Sequence, residues 1–139
     1  MRILILYSKE GRLGALAQGL ARELKKGDCQ VQLMEAEPQG STPISGAPYD
    51  LVILGSPTLG FFGGKIAEDL SLTVPRFTRL EGKMAAAFVS HKLFGASKSL
   101  KAVMALLEKQ GAMVEDFATL QSQSDIEAFG RRLLRLGRR

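Results

Sequence analysis

The sequence has no tryptophan, one cysteine and one histidine among its 139 residues. The lone Cys29 cannot close an internal disulfide, so the core must hold the fold, and a reducing, cytoplasmic setting is expected. Cys29 falls between the first helical pattern and the second strand-like run, away from the loops considered below, and reads as structural. A chain of this size buries roughly two-thirds of its unfolded surface, so neither metal nor cross-link is needed. It fits one domain, residues 1–139. No apolar run approaches the roughly 18 residues of a membrane-spanning helix. No leader pattern precedes the strand-like Ile3-Leu4-Ile5-Leu6-Tyr7, so a soluble protein without membrane contact is expected. Repeats and low-complexity tracts are missing too. So is a G-x-G-x-x-G after the first strand, since Gly11-x-x-Gly14 is not one, which argues against a dinucleotide fold. A phosphoacceptor domain needs an aspartate ending the third strand, and Gly55-Ser56 stands there instead.

An excess of acid is also lacking: the formal net charge is +5. Its location narrows what it means. Arg131, Arg132, Arg135, Arg138 and Arg139 lie in the last nine residues, and without these five the remaining 14 of 19 cations match 14 acidic residues. Arginines suit the negative pole of a helix, so a solvated helix end is the plain reading. An acidic protein partner is the functional one, and nucleic acid is the weakest of the three.

What is present alternates. Residues 2–7 form a continuous apolar run of the kind buried on both sheet faces. A helix follows with Leu13, Leu16, Ala17, Leu20 and Leu24 at spacings of three and four, closed by Gly27. Val31-Gln32-Leu33-Met34 alternates like a strand near a sheet edge, and a Gly/Pro/Ser-rich loop covers 37–48. Leu51-Val52-Ile53-Leu54 is the third strand. A helix near 64–73 leads through Pro75 to the strand Met84-Ala85-Ala86-Ala87-Phe88-Val89. The helix near 97–110 puts Leu100, Val103, Met104 and Leu107 on one face and ends at Gly111, before a fifth strand around Met113-Val114. Ser124-x-x-Glu127 reads as the capping box of a last helix that buries Ile126, Phe129 and Leu133. Five strands, each followed by a helix, imply a parallel α/β sheet with right-handed crossovers and helices on both faces. Ligands of such sheets bind beyond the carboxyl ends of the strands.

Three loops lie at that end. Ser8-Lys9-Glu10-Gly11-Arg12-Leu13 enters a helix N-terminus, whose free N–H groups and positive pole suit an anion. Gly55-Ser56-Pro57-Thr58-Leu59-Gly60-Phe61-Phe62-Gly63-Gly64 has glycines that permit close backbone approach to a flat ligand and phenylalanines that could cover one. Ser90-His91-Lys92-Leu93-Phe94-Gly95 could close the other side. His91 is the only group in these loops that titrates near neutral pH, and it reads as a plain loop histidine or a hydrogen-bond partner for a ligand.

With these residues in view the whole chain resembles the flavodoxin-like family. Ile-Leu-Ile-Leu-Tyr-Ser with Gly11 is similar to the family's first strand and phosphate loop, and Asp50 through Gly60 is similar to its second flavin loop. Gly82-Lys83, the loop to Gly95 and Lys109-Gln110-Gly111-Ala112 also match. The resemblance implies a three-layer sandwich with strand order 2-1-3-4-5. It implies that Ser8, Lys9, Glu10, Gly11, Arg12 and Leu13 hold the phosphate of FMN. Ser56, Pro57, Thr58, Leu59, Gly60 and Phe61 would flank one side of the flavin ring, and Ser90, His91, Phe94 and Gly95 the other. Electron transfer to a redox protein partner follows, acidic where the partner docks near these loops or the arginine-rich end. No nicotinamide site is evident, which favours a carrier over a self-sufficient oxidoreductase.

The departures are as informative. The family's phosphate loop reads Ser/Thr-x-Thr-Gly-Asn-Thr, whereas here Glu10, Arg12 and Leu13 replace Thr, Asn and Thr. A carboxylate about 5 Å from a phosphate charge costs about 1 kcal/mol in water and about 3 kcal/mol at an effective dielectric of 20. Loss of two hydroxyl bonds to a charged ligand removes about 3–6 kcal/mol more. Lys9 and Arg12 could offset part of this. The ring-stacking Trp or Tyr is missing, so Phe61, Phe62 or Phe94 must serve; for the Phe pair, loop packing and flavin contact both stay open. The alternative to an electron carrier is therefore an interaction module of the same fold that has lost tight FMN binding.

Overall fold

The computed structural model describes residues 1–59 and 65–138. Seven strands and four helices follow one another as β1 (Arg2–Tyr7), α1 (Leu13–Lys25), β2 (Gln30–Glu35), β3 (Ile44–Ser45), β4 (Leu51–Ser56), α2 (Glu68–Thr73), β5 (Phe77–Thr78), β6 (Met84–Ser90), α3 (Ala96–Lys109), β7 (Met113–Leu120) and α4 (Gln123–Leu136). The main sheet is parallel, in the order β2-β1-β4-β6-β7. Counting only these five strands, the order is the expected 2-1-3-4-5.

Alternation along each apolar strand sends its side chains to two separate cores. Ile3, Ile5, Leu51, Ile53, Ala86 and Phe88 face α1 and α4, where they meet Leu13, Leu20, Leu24, Phe129 and Leu133. Leu4, Leu6, Val52, Leu54, Ala85 and Ala87 face α2 and α3, where they meet Leu70, Leu100, Val103 and Leu107. Both faces are covered, which is why the strands read as unbroken apolar runs. No helix among the described residues is long and apolar enough to cross a membrane.

Four local expectations are corrected. The crossover from β2 to β4 has no helix; residues 36–50 are turns plus the short β3, which pairs in parallel with β5. Two cations satisfy its carbonyls instead. Arg76 donates from Nε to Thr42 O and from Nη1 to Glu37 O, and Lys83 Nζ donates to Gly46 O and Tyr49 O. The second helix begins at Glu68 rather than near 64, because Lys65 bridges antiparallel to Leu59 and Ala67 is still extended. At the end of α1 the left-handed residue is Asp28 (φ 65°), while Gly27 lies against Leu134 of α4. Gly111 does take the left-handed conformation (φ 81°) that ends α3.

The fourth correction is the cap of α4. Ser122, not Ser124, is the N-cap: its hydroxyl accepts from Asp125 N, and the Asp125 carboxylate accepts from the N–H groups of Ser122 and Gln121. Aspartate at the third helical position closes the box as glutamate would, two residues earlier in the chain. Those backbone donors hold the Asp125 carboxyl below its ordinary value. Stability from a lowered carboxyl is present above the unfolded value, about 3.9, and is lost as pH falls through the folded one. Chemical denaturation should therefore separate Asp125→Asn from the parent at neutral pH, and the two should converge as pH drops below about 3.9. Ser122→Ala should cost about 1 kcal/mol, and Ser124→Ala clearly less, by the same measurement.

Candidate functional site

β1, β4 and β6 end side by side, so the loops that follow them share one edge of the sheet. The first and second loops are in contact. Ser8 N donates to Gly55 O at 3.0 Å, and Gly11 turns with φ 73° so closely over Pro57 that an added Cβ would stand 3.1 Å from the Pro57 Cβ. The second and third loops are tied as well: Thr58 Oγ1 donates to Ser90 O at 2.8 Å, and Thr58 N reaches Ser90 Oγ at 3.4 Å. Ser8, Gly11, Pro57, Thr58 and Ser90 thus form a continuous floor.

The other residues singled out from sequence take varied places. Lys9, Glu10 and Arg12 are exposed, whereas the Leu13 side chain belongs to the core under α1, leaving only its backbone to the loop. Arg12 caps α1 without a side-chain hydrogen bond, and the first turn carries no acidic residue. Ser56 is fully buried with its hydroxyl on Pro57 O, and Leu59 is half-buried. The backbone N–H of His91 donates to Leu120 O at the end of β7. Leu93 and Phe94 are exposed, at 81% and 55%, and Gly95 turns into α3 with φ 90°. Gly60, Phe61 and Phe62 lie outside the described residues.

Gly55 has a different reason to be glycine from the one its loop suggested. A Cβ there would overlap the ring of Phe88, which is wholly buried in β6. The missing side chain serves core packing rather than approach to a ligand.

The residue that sequence reasoning missed is Asp69, near the start of α2. It is only 6% exposed. Its Oδ1 accepts from Ser8 Oγ and its Oδ2 from Lys9 N, both at 2.7 Å, while Ser8 Oγ in turn accepts from Glu10 N at 3.0 Å. Three donors of the first loop are thereby engaged inside the protein. Asp69 stands four residues before the buried Thr73 in α2, and that one helical spacing was the available signal. A cleft of about 410 Å³ adjoins it, lined by Lys9, Glu37, Pro38, Gln39, Gly40 and Asp69. A neighbouring one adds Glu10, Glu68 and Leu72. No group of three or more His, Cys, Asp or Glu side chains among the described residues is placed to hold a metal ion. At the carboxyl end of β1, burial, reinforced by the charge of Glu35, raises the Tyr7 phenol above its ordinary value.

The phosphate of FMN, which the resemblance assigns to the first loop, does not fit this arrangement. A carboxylate already accepts from Ser8 Oγ and Lys9 N, and of the charged side chains lining the clefts around it three are acidic and one is basic. The ring half of the site carries no such obstruction among the described residues.

Two alanine substitutions should act in opposite directions. Gly55→Ala should destabilise by about 1–3 kcal/mol through overpacking against Phe88. Gly14→Ala in α1, where nothing lies within 4 Å of the new Cβ, should stabilise by about 0.5 kcal/mol. Denaturant midpoints check both signs.

Compared by sequence, the chain matches no protein-family model and no curated protein. Compared by structure, it is similar to flavodoxin 1 of Bacillus cereus, with a TM-score of 0.74 at 19% identity over 97% of this chain and 98% of that one. Flavodoxin 2 of Bacillus cereus gives 0.71 at 23% identity over the whole of both chains. The flavodoxin of Megasphaera elsdenii, solved in its two-electron reduced state, gives 0.70 at 18% over 97% and 99%. Strand order, the two cores and these superpositions agree: the fold of this chain is flavodoxin-like.

Proposed function

We propose that this chain is a flavin-binding electron-transfer protein of the flavodoxin type. It grips the ring between its second and third loops and holds the phosphate of FMN weakly. The observation that carries this reading is the contact of all three loops along one sheet edge, through Gly11 on Pro57 and Thr58 on Ser90. Pro57, Thr58 and Leu59, with Gly60 and Phe61, would line one side of the ring, and Ser90, His91, Phe94 and Gly95 the other. Flavin, when bound, would supply the one- and two-electron chemistry; the chain's own part is to bind it, orient it and limit water at its edge.

The similar proteins include flavodoxins solved in oxidised and in two-electron reduced form, which supports redox work at this edge. The partner we envisage is an acidic redox protein. Exposed Leu93 and Phe94 stand in sequence beside Lys92 and near Lys98, giving an apolar contact with a cationic surround, and Arg131 and Arg135 of α4, with Arg138 just beyond it, offer a second basic surface. Cys29, half-buried and unpaired, suits the cytoplasm.

The Asp69 contact favours a second reading, an interaction module of the same fold without a flavin. Absorption spectra of the purified protein, taken before and after FMN is added and then removed by desalting, separate the two. Retained visible flavin bands, with tighter retention in Glu10→Thr, are the expected result. A colourless protein that releases all added flavin overturns the electron-transfer reading and leaves the module.

A further inference from the structure

We infer that the site takes a flavin-type ring lacking a phosphate in preference to FMN, and that Asp69 is the residue that sets this choice. The ligand class rests on the flavin reading above; the exclusion of phosphate is a property of the loop itself.

A β-strand that turns into a helix N-terminus offers hydroxyl and N–H donors that an incoming anion can collect. Here the protein supplies the anion. Asp69 reaches from α2 across to the loop after β1 and takes the Ser8 hydroxyl and the Lys9 N–H, one on each carboxylate oxygen. Ser8 is 1% exposed and Asp69 6%, so the bond between them is buried, and the one to Lys9 N is partly so. The Glu10 N–H turns back on Ser8 Oγ and completes the set.

For a phosphate to collect the same donors, Asp69 must leave, and the described lining of the clefts offers it one cation, Lys9. The two adjoining clefts are lined by Glu10, Glu37 and Glu68, and Lys9 is the single basic side chain among their described lining residues. A dianion arriving there meets three carboxylates besides Asp69 against one ammonium. A neutral tail, such as the sugar-alcohol chain of riboflavin, meets none of this and can hydrogen-bond to the same carboxylates.

Two titrations and one melting experiment test the inference. Quenching of flavin fluorescence at fixed ionic strength gives the affinities of riboflavin and FMN for the parent protein and for Asp69→Asn. The parent should bind riboflavin at least as tightly as FMN, and Asp69→Asn should move that ratio toward FMN by about tenfold or more, the scale of one unit charge removed at close range. A parent that prefers FMN by about tenfold, or a ratio indifferent to Asp69→Asn, overturns the inference. If neither protein binds either flavin, the flavin reading falls, and inorganic phosphate alone decides the role of Asp69. Phosphate in place of chloride at equal ionic strength should then raise the melting temperature of Asp69→Asn and leave the parent unmoved; an equal response in both overturns it. If Asp69→Asn does not fold, the parent's flavin ratio and its own response to phosphate settle the matter, since a phosphate-specific rise in the parent is incompatible with an occupied loop.

Discussion

Burial of β1, β4 and β6 on both faces is the constraint from which the rest of this structure follows. Residues 3–6, 51–56 and 85–89 are all buried, and all but Gly55 and Ser56 carry apolar side chains. A strand so enclosed cannot host a polar group without a partner, since an unpaired buried donor or acceptor costs about 1–3 kcal/mol. Chemistry is thereby expelled to the ends of the strands. At the carboxyl end the loops after β1, β4 and β6 emerge a strand spacing apart and touch one another. Gly55 shows how tightly the two regions are joined: its own space is taken by Phe88 in the core, while its carbonyl receives Ser8 N from the first loop. Core packing and loop position are one problem at that residue.

The crossover from β2 to β4 shows the converse, where a layer is thin. Without a helix, its carbonyls have no helical donors, and a backbone acceptor must be paired with something. Arg76 and Lys83 provide that pairing from outside the segment, with four contacts of 2.7–3.0 Å to Thr42, Glu37, Gly46 and Tyr49. Because Arg76 fixes Glu37 O, it also positions the segment 37–40 that walls the cleft beside Asp69. A connection that looks like a plain surface loop is therefore coupled to the candidate site.

Period and spacing made the five strands, the faces of α1, α3 and α4 and the Gly111 turn legible, because each rests on many residues that agree. What was not legible rested on single residues whose partners are distant in sequence. Ser122 and Ser124 offer equal N-cap chemistry, and only the reach of Asp125 decides between them. Lys65 and Leu59 hold the chain extended where propensity alone would start a helix. Asp69 meets Ser8 and Lys9 from about sixty positions away, and one spacing to Thr73 is a thin local sign that a carboxylate in a short helix will turn inward. The three loops could be placed at the correct edge from topology, but which donors remained available could not.

Glu10 and Asp69 are both acids at the first loop, and magnitudes separate them. Glu10 is the visible anomaly in the sequence, yet it is exposed and can turn toward water, where its repulsion of an anion about 5 Å away falls to about 1 kcal/mol. Asp69 has no such freedom. Each of its two hydrogen bonds is between a neutral donor and a charged acceptor, a class worth about 1.5–3 kcal/mol when it must be broken. An anion competing for this loop therefore faces a small, screened opposition from Glu10 and a larger, sheltered one from Asp69. The residue that departs visibly from the expected motif is the lesser obstacle, and the one that governs what the loop can hold lies in another element.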